Sequence, residues 1–416
     1  MSVKSKIETV INHQDFFSYL IALILCTSLI GFAPSSLALI VFVFFALRFA
    51  IINKVKLKLE VMLILPIVLY LFFCASYFWS VDQQLTLKGM GRLVVFLIAP
   101  LTFSFIPKFT NRSFQIIFNC FSISNVLLGV FFIIVAAFNY SKIGRLNVFT
   151  YHSLVEIIDL NAIYVSLFFS VSYFFLLSKN NKTRLDLIGL IFLGLMILLL
   201  SSKIIIITFV MCNIIYVVFY KGIHFLKSKK AIAITLLALS VATVASKKVI
   251  ERFLVEKTTN FDEVLHREKF NRVYPWTGTS IRLLQLRNLK DQIEEDDIFW
   301  KGFGLFASRE NLKKRHLAFN TYYGYHDYNY HNMYAQIFSE LGIFGLIFFL
   351  SILILGLLKS IKVKHFLYFA FYLLMGMAFF TESLLWVQRG LFLFVIIHCI
   401  LNRTVFFKLN KSNTFN

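Results

Sequence analysis

Apolar runs of about 18 to 20 residues, the length a helix needs to cross ~30 Å of hydrocarbon, recur along this chain from Phe16 to Leu401 with short charged turns between them. With 59% of its 416 residues hydrophobic and 15% charged, the chain has too little polar surface to cover a water-soluble fold. Repeated spanning helices are the simplest account, which makes the expected fold class an all-α integral membrane protein. The 50 Phe residues suit lipid-facing and helix-packing surfaces, and the scarcity of Pro, only 5, suits long uninterrupted helices.

The first residues, MSVKSKIETVINHQDFF, are mildly basic and lead into an apolar stretch without a small-residue cleavage site. They read as the lead-in to an uncleaved first helix. Cys26, Cys74, Cys120, Cys212 and Cys399 all lie in apolar segments, which argues against structural disulfides and cysteine metal sites. A net charge of +21 suits nucleic acid when it forms one patch; here the basic residues punctuate the helices, so nucleic acid is not an expected partner.

Spans are expected near 17–32, 35–50, 60–79, 93–106, 114–138, 161–178, 186–201, 204–220, 231–246, 334–357, 366–381 and 385–402. Alternate connections are basic: Arg48 with Lys54, Lys56 and Lys58; Lys108 with Arg112; Lys179, Lys182 and Arg184; Lys221 through Lys230; Lys359, Lys362 and Lys364. These mark the cytoplasmic side, and the connections around Pro34, Val81, Ser141, Ser202 and Ser383 the outside, which puts both termini in the cytoplasm. The resulting division is helices one to nine over 1–246, a large extracytoplasmic loop with short helices over 247–333, and helices ten to twelve with a cytoplasmic tail over 334–416.

The loop ends in YHDYNYHNMYAQIFSELGIFGLIFFL. This puts His331, Asn332 and Tyr334 at the membrane interface, where a histidine can exchange a proton near neutral pH and reach both a lipid-anchored molecule and water. A lone interfacial His more commonly just hydrogen-bonds a headgroup or carbonyl. Glu340 would stand about 13 Å deeper, where an unpaired carboxylate is costly and belongs in the bundle or a cavity. Gly342 and Gly345 suit close helix packing.

His331-Asn332-x-Tyr334 followed by Glu340-x-Gly342-x-x-Gly345 resembles the H-N-x-Y…E-x-G-x-x-G signature of the O-antigen ligase and O-antigen polymerase group of membrane glycosyltransferases. Weaker similarities run in the same order. FWSVDQQLTLKGMGR, with Trp79, Ser80 and Asp82, resembles a W-S-x-D stretch, with Arg92 opening the next helix. GTSIRLL places Arg282 ahead of the G-x-G element Gly302 and Gly304. LLLSSKIIII resembles an S-x-S-R stretch in which Lys203 stands where many members have arginine. That exchange keeps the charge and loses the bidentate fork; Lys203 can equally serve as a cap on a tight helical turn.

The resemblance implies a GT-C-like fold of about 12 transmembrane helices, with one large periplasmic loop before the tenth, in a bacterial inner membrane. It implies transfer of a glycan from undecaprenyl diphosphate to an acceptor hydroxyl on a lipid A-core, at the periplasmic face and with inversion at the anomeric carbon. Other implied partners are membrane lipids and a lipid or glycan acceptor. His331 is then the general base, Asn332, Tyr334 and Glu340 support it, and the diphosphate ligands are Arg282 first, then Lys203, with Arg92 and Arg287 behind. No nucleotide, metal or other cofactor is required: fixed cations can offset the charge on a diphosphate, and the chain has no D-x-D motif.

Each supporting feature also has a plainer reading. Arg282 would sit on a loop helix near 280–293 whose Leu283, Leu286, Leu289 and Ile293 pack onto the bundle. Arg287 would pair with Asp291 four residues on. The run Glu294, Glu295, Asp296 and Asp297 reads as a solvated turn. His326, Asp327 and His331 could be imagined as a metal cluster, but spacing in an aromatic loop fixes no coordination geometry. The rings of Phe319, Tyr322, Tyr323, Tyr325, Tyr328, Tyr330 and Tyr334 fit sugar binding and an interface belt equally. A polymerase joining lipid-linked repeat units is the main alternative function, since its chemistry is nearly the same. A polytopic transporter fits less well, because the polar groups gather on one face and no repeat or Gly/Pro-broken helix pair is evident.

Overall fold

A computed structural model describes residues 15–221, 254, 260–271 and 274–406. In chain order the helices are α1 (Phe16–Thr27), α2 (Phe32–Ile52), α3 (Val61–Ala75), α4 (Gln83–Leu93), α5 (Val95–Phe105), α6 (Asn111–Ile143), α7 (Tyr151–Val155), α8 (Ala162–Ser178), α9 (Arg184–Leu199) and α10 (Lys203–Ile215). After the undescribed stretch come α11 (Phe261–His266), α12 (Gly278–Glu295), α13 (Arg309–Ala318), α14 (Met333–Val363), α15 (Phe366–Ala378) and α16 (Gln388–Arg403). Among the described residues the only ladder-type pairing is an isolated bridge between Phe109 and Thr404.

Every expected span within the described residues is occupied by a helix, and the protein is a multi-pass membrane protein. Among the described residues six helices are long and apolar enough to cross a bilayer, or seven if the pair Tyr151–Ile158 and Ala162–Ser178, bent by 92°, counts as one. Several of the expected dozen are short helices. α1, α9, α15 and α16 are 12, 16, 13 and 16 residues long, shorter than the ~20 residues of a straight crossing. The expected 93–106 span is the second half of a 23-residue run, Gln83–Phe105. The expected ninth span at 231–246 lies outside the described residues, as does nearly all of the Lys221–Lys230 connection and the start of the 247–333 segment.

Local sequence explains where the helices start. Thr110, Asn161 and Asn332 each accept a backbone N–H of the first turn that follows, and Thr183 with Asp186 and Thr277 with Ser280 form reciprocal capping boxes. Inside the bundle, Phe42, Phe73, Phe96, Phe103, Phe118 and Phe168 are fully or almost fully buried and meet edge to face or tilted, as in Phe42 on Phe103 at 5.3 Å and Phe73 on Phe96 at 5.8 Å.

The basic turns share one end of the bundle. Glu60 pairs with Lys108 at 2.8 Å and with Arg403 at 3.2 Å, and Lys359 donates to Asn402. The opposite end of α16 carries Gln388 and leads back to Glu382 and His331. A 16-residue helix thus separates a cationic end from the end bearing the H-N-x-Y motif.

Candidate active site

The motifs that lie far apart in sequence meet at one turn. At this turn Gly302 (φ +66°) and Gly304 (φ +100°) adopt a backbone conformation that L side chains rarely take. Trp79 Nε1 donates to the Lys301 carbonyl at 2.8 Å, Val81 N to Phe303 O at 2.9 Å, Thr86 Oγ1 to Leu305 O at 2.9 Å, and Leu305 N to Ser76 Oγ at 3.0 Å. Asp82 caps α4 by accepting from Leu85 N. The W-S-x-D stretch is thus the cradle of the G-x-G turn.

On its other side the turn fills a break in α14. Gly342 (φ 65°, ψ −162°) interrupts the helix, freeing carbonyls that Phe303 N and Gly304 N take up, from Ser339 O at 2.9 Å and Glu340 O at 2.8 Å; Ile343 N in turn donates to Phe299 O. A Cβ on Gly342 would lie 2.4 Å from the Trp300 carbonyl carbon, so backbone packs on backbone here. Gly342 is a helix breaker, a larger role than the helix packing expected of it. An interrupted helix at this depth is stable because other protein groups satisfy its backbone.

Glu340, fully buried, is the hub of this joint. Its carboxylate accepts from Phe306 N at 2.7 Å, Gln336 Nε2 at 2.5 Å, Ser308 Oγ at 3.3 Å and Trp386 Nε1 at 3.3 Å, which offsets the cost of burying it. Phe306 stacks on Trp386 at 5.3 Å with ring planes 8° apart. The same network continues through Tyr330, whose hydroxyl bonds with Gln292 and Ser339 and whose pKa burial pushes well up.

His331 sits where this joint meets the surface. Its backbone is left-handed (φ 46°), an uncommon state for a non-glycine residue, held by Asn329 Oδ1, which accepts His331 N at 2.8 Å. Asn332 caps α14 through Ala335 N, and Tyr334 donates to Gly376 O at 2.8 Å, which ties α14 to α15. His331 Nδ1 lies 2.8 Å from Glu382 Oε2, while Nε2 is buried with no hydrogen-bond partner among the described residues.

Arg282 reaches the same carboxylate. Its Nε donates to Thr381 O at 2.9 Å, Nη1 to Gly278 O at 2.7 Å, and Nη2 lies 3.8 Å from Glu382 Oε2. Of five guanidinium N–H donors, some thus remain for a ligand. The sequence reading missed Glu382; its signal was an acid in a short turn between two apolar helices, an expensive position unless it is used.

A second group lines a cleft of ≈ 350 Å³ bounded by Phe32, Arg92, Trp386 and Gln388. Arg92 lies 5.7 Å from the Phe306 ring centroid. Arg389, also missed, covers the Phe32 ring at 4.8 Å, and its buried Nε has no partner among the described residues. Tyr164 is within electrostatic reach of both Arg389 and Glu382.

Lys203 opens α10, just after Ser201 in a left-handed turn. α10 packs against α15, and Tyr216 beyond its far end touches Phe366 at the start of α15. Lys203 therefore lies at the end of that pair where α15 leads to Thr381 and Glu382.

Arg287 is placed elsewhere. It donates to the carbonyls of Val264 and Arg267 and lies 4.3 Å over the Phe319 ring, gluing α11 to α12. Of the apolar positions expected to pack, Leu283, Leu289 and Ile293 are half-buried against small apolar clusters, whereas Leu286 is 43% exposed. The most buried positions of α12 are Ile281, Leu284, Gln285, Asn288 and Gln292, because the helix also meets a polar network, which apolar periodicity cannot register. The acidic run is not simply solvated: Arg315 reaches Asp296 at 2.6 Å and Glu295 at 3.0 Å, and they hold its pKa up although burial opposes them. His326 faces the Thr321 carbonyl at 3.3 Å, and among the described residues no group of His, Cys, Asp or Glu is placed to hold a metal ion.

The aromatic stripe divides. Tyr330 and Tyr334 serve the core, whereas Tyr322, Tyr325, Tyr328 and His331 touch in sequence, with centroids 5.4, 5.1 and 4.9 Å apart.

Residues 188–350 match the family model described as O-antigen ligase. No curated protein matches the chain. The matched stretch contains Lys203, Arg282, Arg287, His331 and Glu340, while Arg92, Glu382 and Arg389 lie outside it. The match supports ligase- or polymerase-type activity in general, members of the family being glycosyltransferase-like enzymes that work on lipid-linked glycans. Residues 188–350, which carry the H-N-x-Y and E-x-G-x-x-G motif, are thus similar to the O-antigen ligase family.

Proposed function

We propose that this protein transfers a glycan from undecaprenyl diphosphate to an acceptor hydroxyl, as an O-antigen ligase does, on the outer face of a bacterial inner membrane. The observation that carries the reading is His331, with Nδ1 engaged by Glu382 and Nε2 buried without a partner among the described residues, and with the Arg282 guanidinium beside the same Glu382 carboxylate.

In this reading Glu382 holds the proton on Nδ1, so that Nε2 carries the lone pair. The acceptor O–H gives its proton to Nε2 as its oxygen attacks the anomeric carbon. The bond from that carbon to the diphosphate oxygen breaks on the opposite face, and the departing diphosphate takes the electron pair. Arg282, Lys203, Arg92 and Arg389 supply fixed positive charge for it; their geometry needs no reorganisation as charge develops. Glu340 acts at one remove, by holding the α14 break that positions His331.

Deleting the gene in its host and restoring either the native chain or His331→Ala tests this. Full-length polymer stranded on undecaprenyl diphosphate over bare lipid core, unrescued by the variant, is the result for a ligase. Core bearing a single repeat unit identifies a polymerase, and unchanged glycans refute both.

A further inference from the structure

At the end of the bundle opposite His331, a cleft of ≈ 580 Å³ opens between the C-terminal ends of α2, α5 and α16 and the start of α3. Its polar lining is Lys56, Lys58, Lys108 and Arg403 against one carboxylate, Glu60. Lys359 stands within electrostatic reach of Glu60 as well. Burial favours protonation of Glu60, but Lys108, Arg403 and Lys359 outweigh it and hold the carboxyl below its ordinary pKa. Five cations facing one anion leave a strong positive surplus.

Backbone hydrogen bonds tie the floor of the cleft together. Phe109 N donates to Arg403 O at 3.0 Å and Val405 N to Phe109 O at 2.9 Å. Arg403, only 6% exposed, donates to Glu60 through Nη1 and to Ile106 O through Nη2 at 2.7 Å, while its buried Nε has no partner among the described residues. A buried guanidinium N–H without an acceptor is costly in an otherwise satisfied site. Phe49 and Phe105 supply an apolar wall beside the cations.

We propose that this cleft binds a phosphate-bearing anion presented by the headgroup of an anionic phospholipid. A phosphodiester supplies acceptor oxygens for Lys56 and Lys58, which line the cleft, and the lipid's acyl chains can lie against Phe49 and Phe105. Volume and lining suit such a ligand: basic pockets between helix ends take anionic headgroups. The site is separate from the transfer reaction and stands whether or not that reading holds.

The test uses the full-length chain purified in neutral detergent, with thermal midpoint and native mass spectrometry as readouts. Dioleoylphosphatidylglycerol is expected to raise the midpoint and remain bound, and dioleoylphosphatidylcholine is expected to do neither. Lys56 and Lys58 make no ion pair among the described residues, so Lys56→Gln with Lys58→Gln should fold normally and bind phosphatidylglycerol about tenfold more weakly. If inorganic phosphate alone raises the midpoint, and the double variant weakens that effect, the site stands with a soluble anion as its occupant. Equal effects of the two lipids, an unaltered response in the double variant, or no response to either anion would overturn the proposal.

Discussion

His331 and Glu382, 51 residues apart, are joined by a 2.8 Å contact between Nδ1 and Oε2 across the mouth of the helix pair α14 and α15. The contact aims one imidazole nitrogen at a carboxylate, while the other has no partner among the described residues. His331→Ala is expected to lower transfer by about 10²–10⁴-fold with normal insertion, assayed with lipid-linked donor in proteoliposomes. Retention of most activity would remove His331 from the role of base.

Glu382→Gln keeps an acceptor for Nδ1–H and removes the charge that stabilises the imidazolium. A loss of about 10- to 100-fold in kcat with little change in donor KM is expected. Glu382→Ala should lose more. A wild-type rate in the glutamine variant would mean that the carboxylate charge is dispensable.

The arginines should divide by role. Arg389→Ala should raise donor KM or cut kcat sharply, since its guanidinium lies beside the Arg92 cleft. Arg287→Ala removes two hydrogen bonds and a cation–π contact, costing about 1–3 kcal/mol of stability with unchanged activity per folded molecule. Lys203→Arg should keep activity if the residue meets the diphosphate; a folded but inactive variant would point to a tighter steric role.

At Gly342 an added methyl group meets both a left-handed φ and backbone 2.4 Å away. Gly342→Ala is expected to destabilise by about 3 kcal/mol or more, visible as loss of the monodisperse peak in size-exclusion chromatography. Gly91→Ala is the control, because nothing lies within 4 Å of its Cβ position.

His316, in a buried network with Gln285 and Thr321, has its pKa pushed down to about 4 by burial, with the nearby His326 adding to the effect. The unfolded chain takes up this proton near pH 6.5, the folded one only near 4. The contribution of His316 to stability is therefore full above pH 6.5 and falls as pH drops from 6.5 to 4, by at most about 3 kcal/mol. Thermal midpoints over that range should show a shallower decline in His316→Gln than in the native chain.

The sequence by itself determined the membrane class and the helix positions within the described residues, because hydrophobic length is a local property, and a short local motif singled out His331. It also supplied Trp79, Ser80, Gly302, Gly304, Glu340 and Gly342 of the turn joint, without showing that they meet. Only the tertiary structure decided that they do, since backbone pairing between residues 301–306 and 339–343 depends on the break at Gly342 and leaves no periodic trace. The fold alone brought Glu382 to His331, took Arg287 away to α11, and turned a polar face of α12 inward. Each of those outcomes depends on which groups become neighbours across the chain, and a buried polar contact is favourable only once its partner is in place.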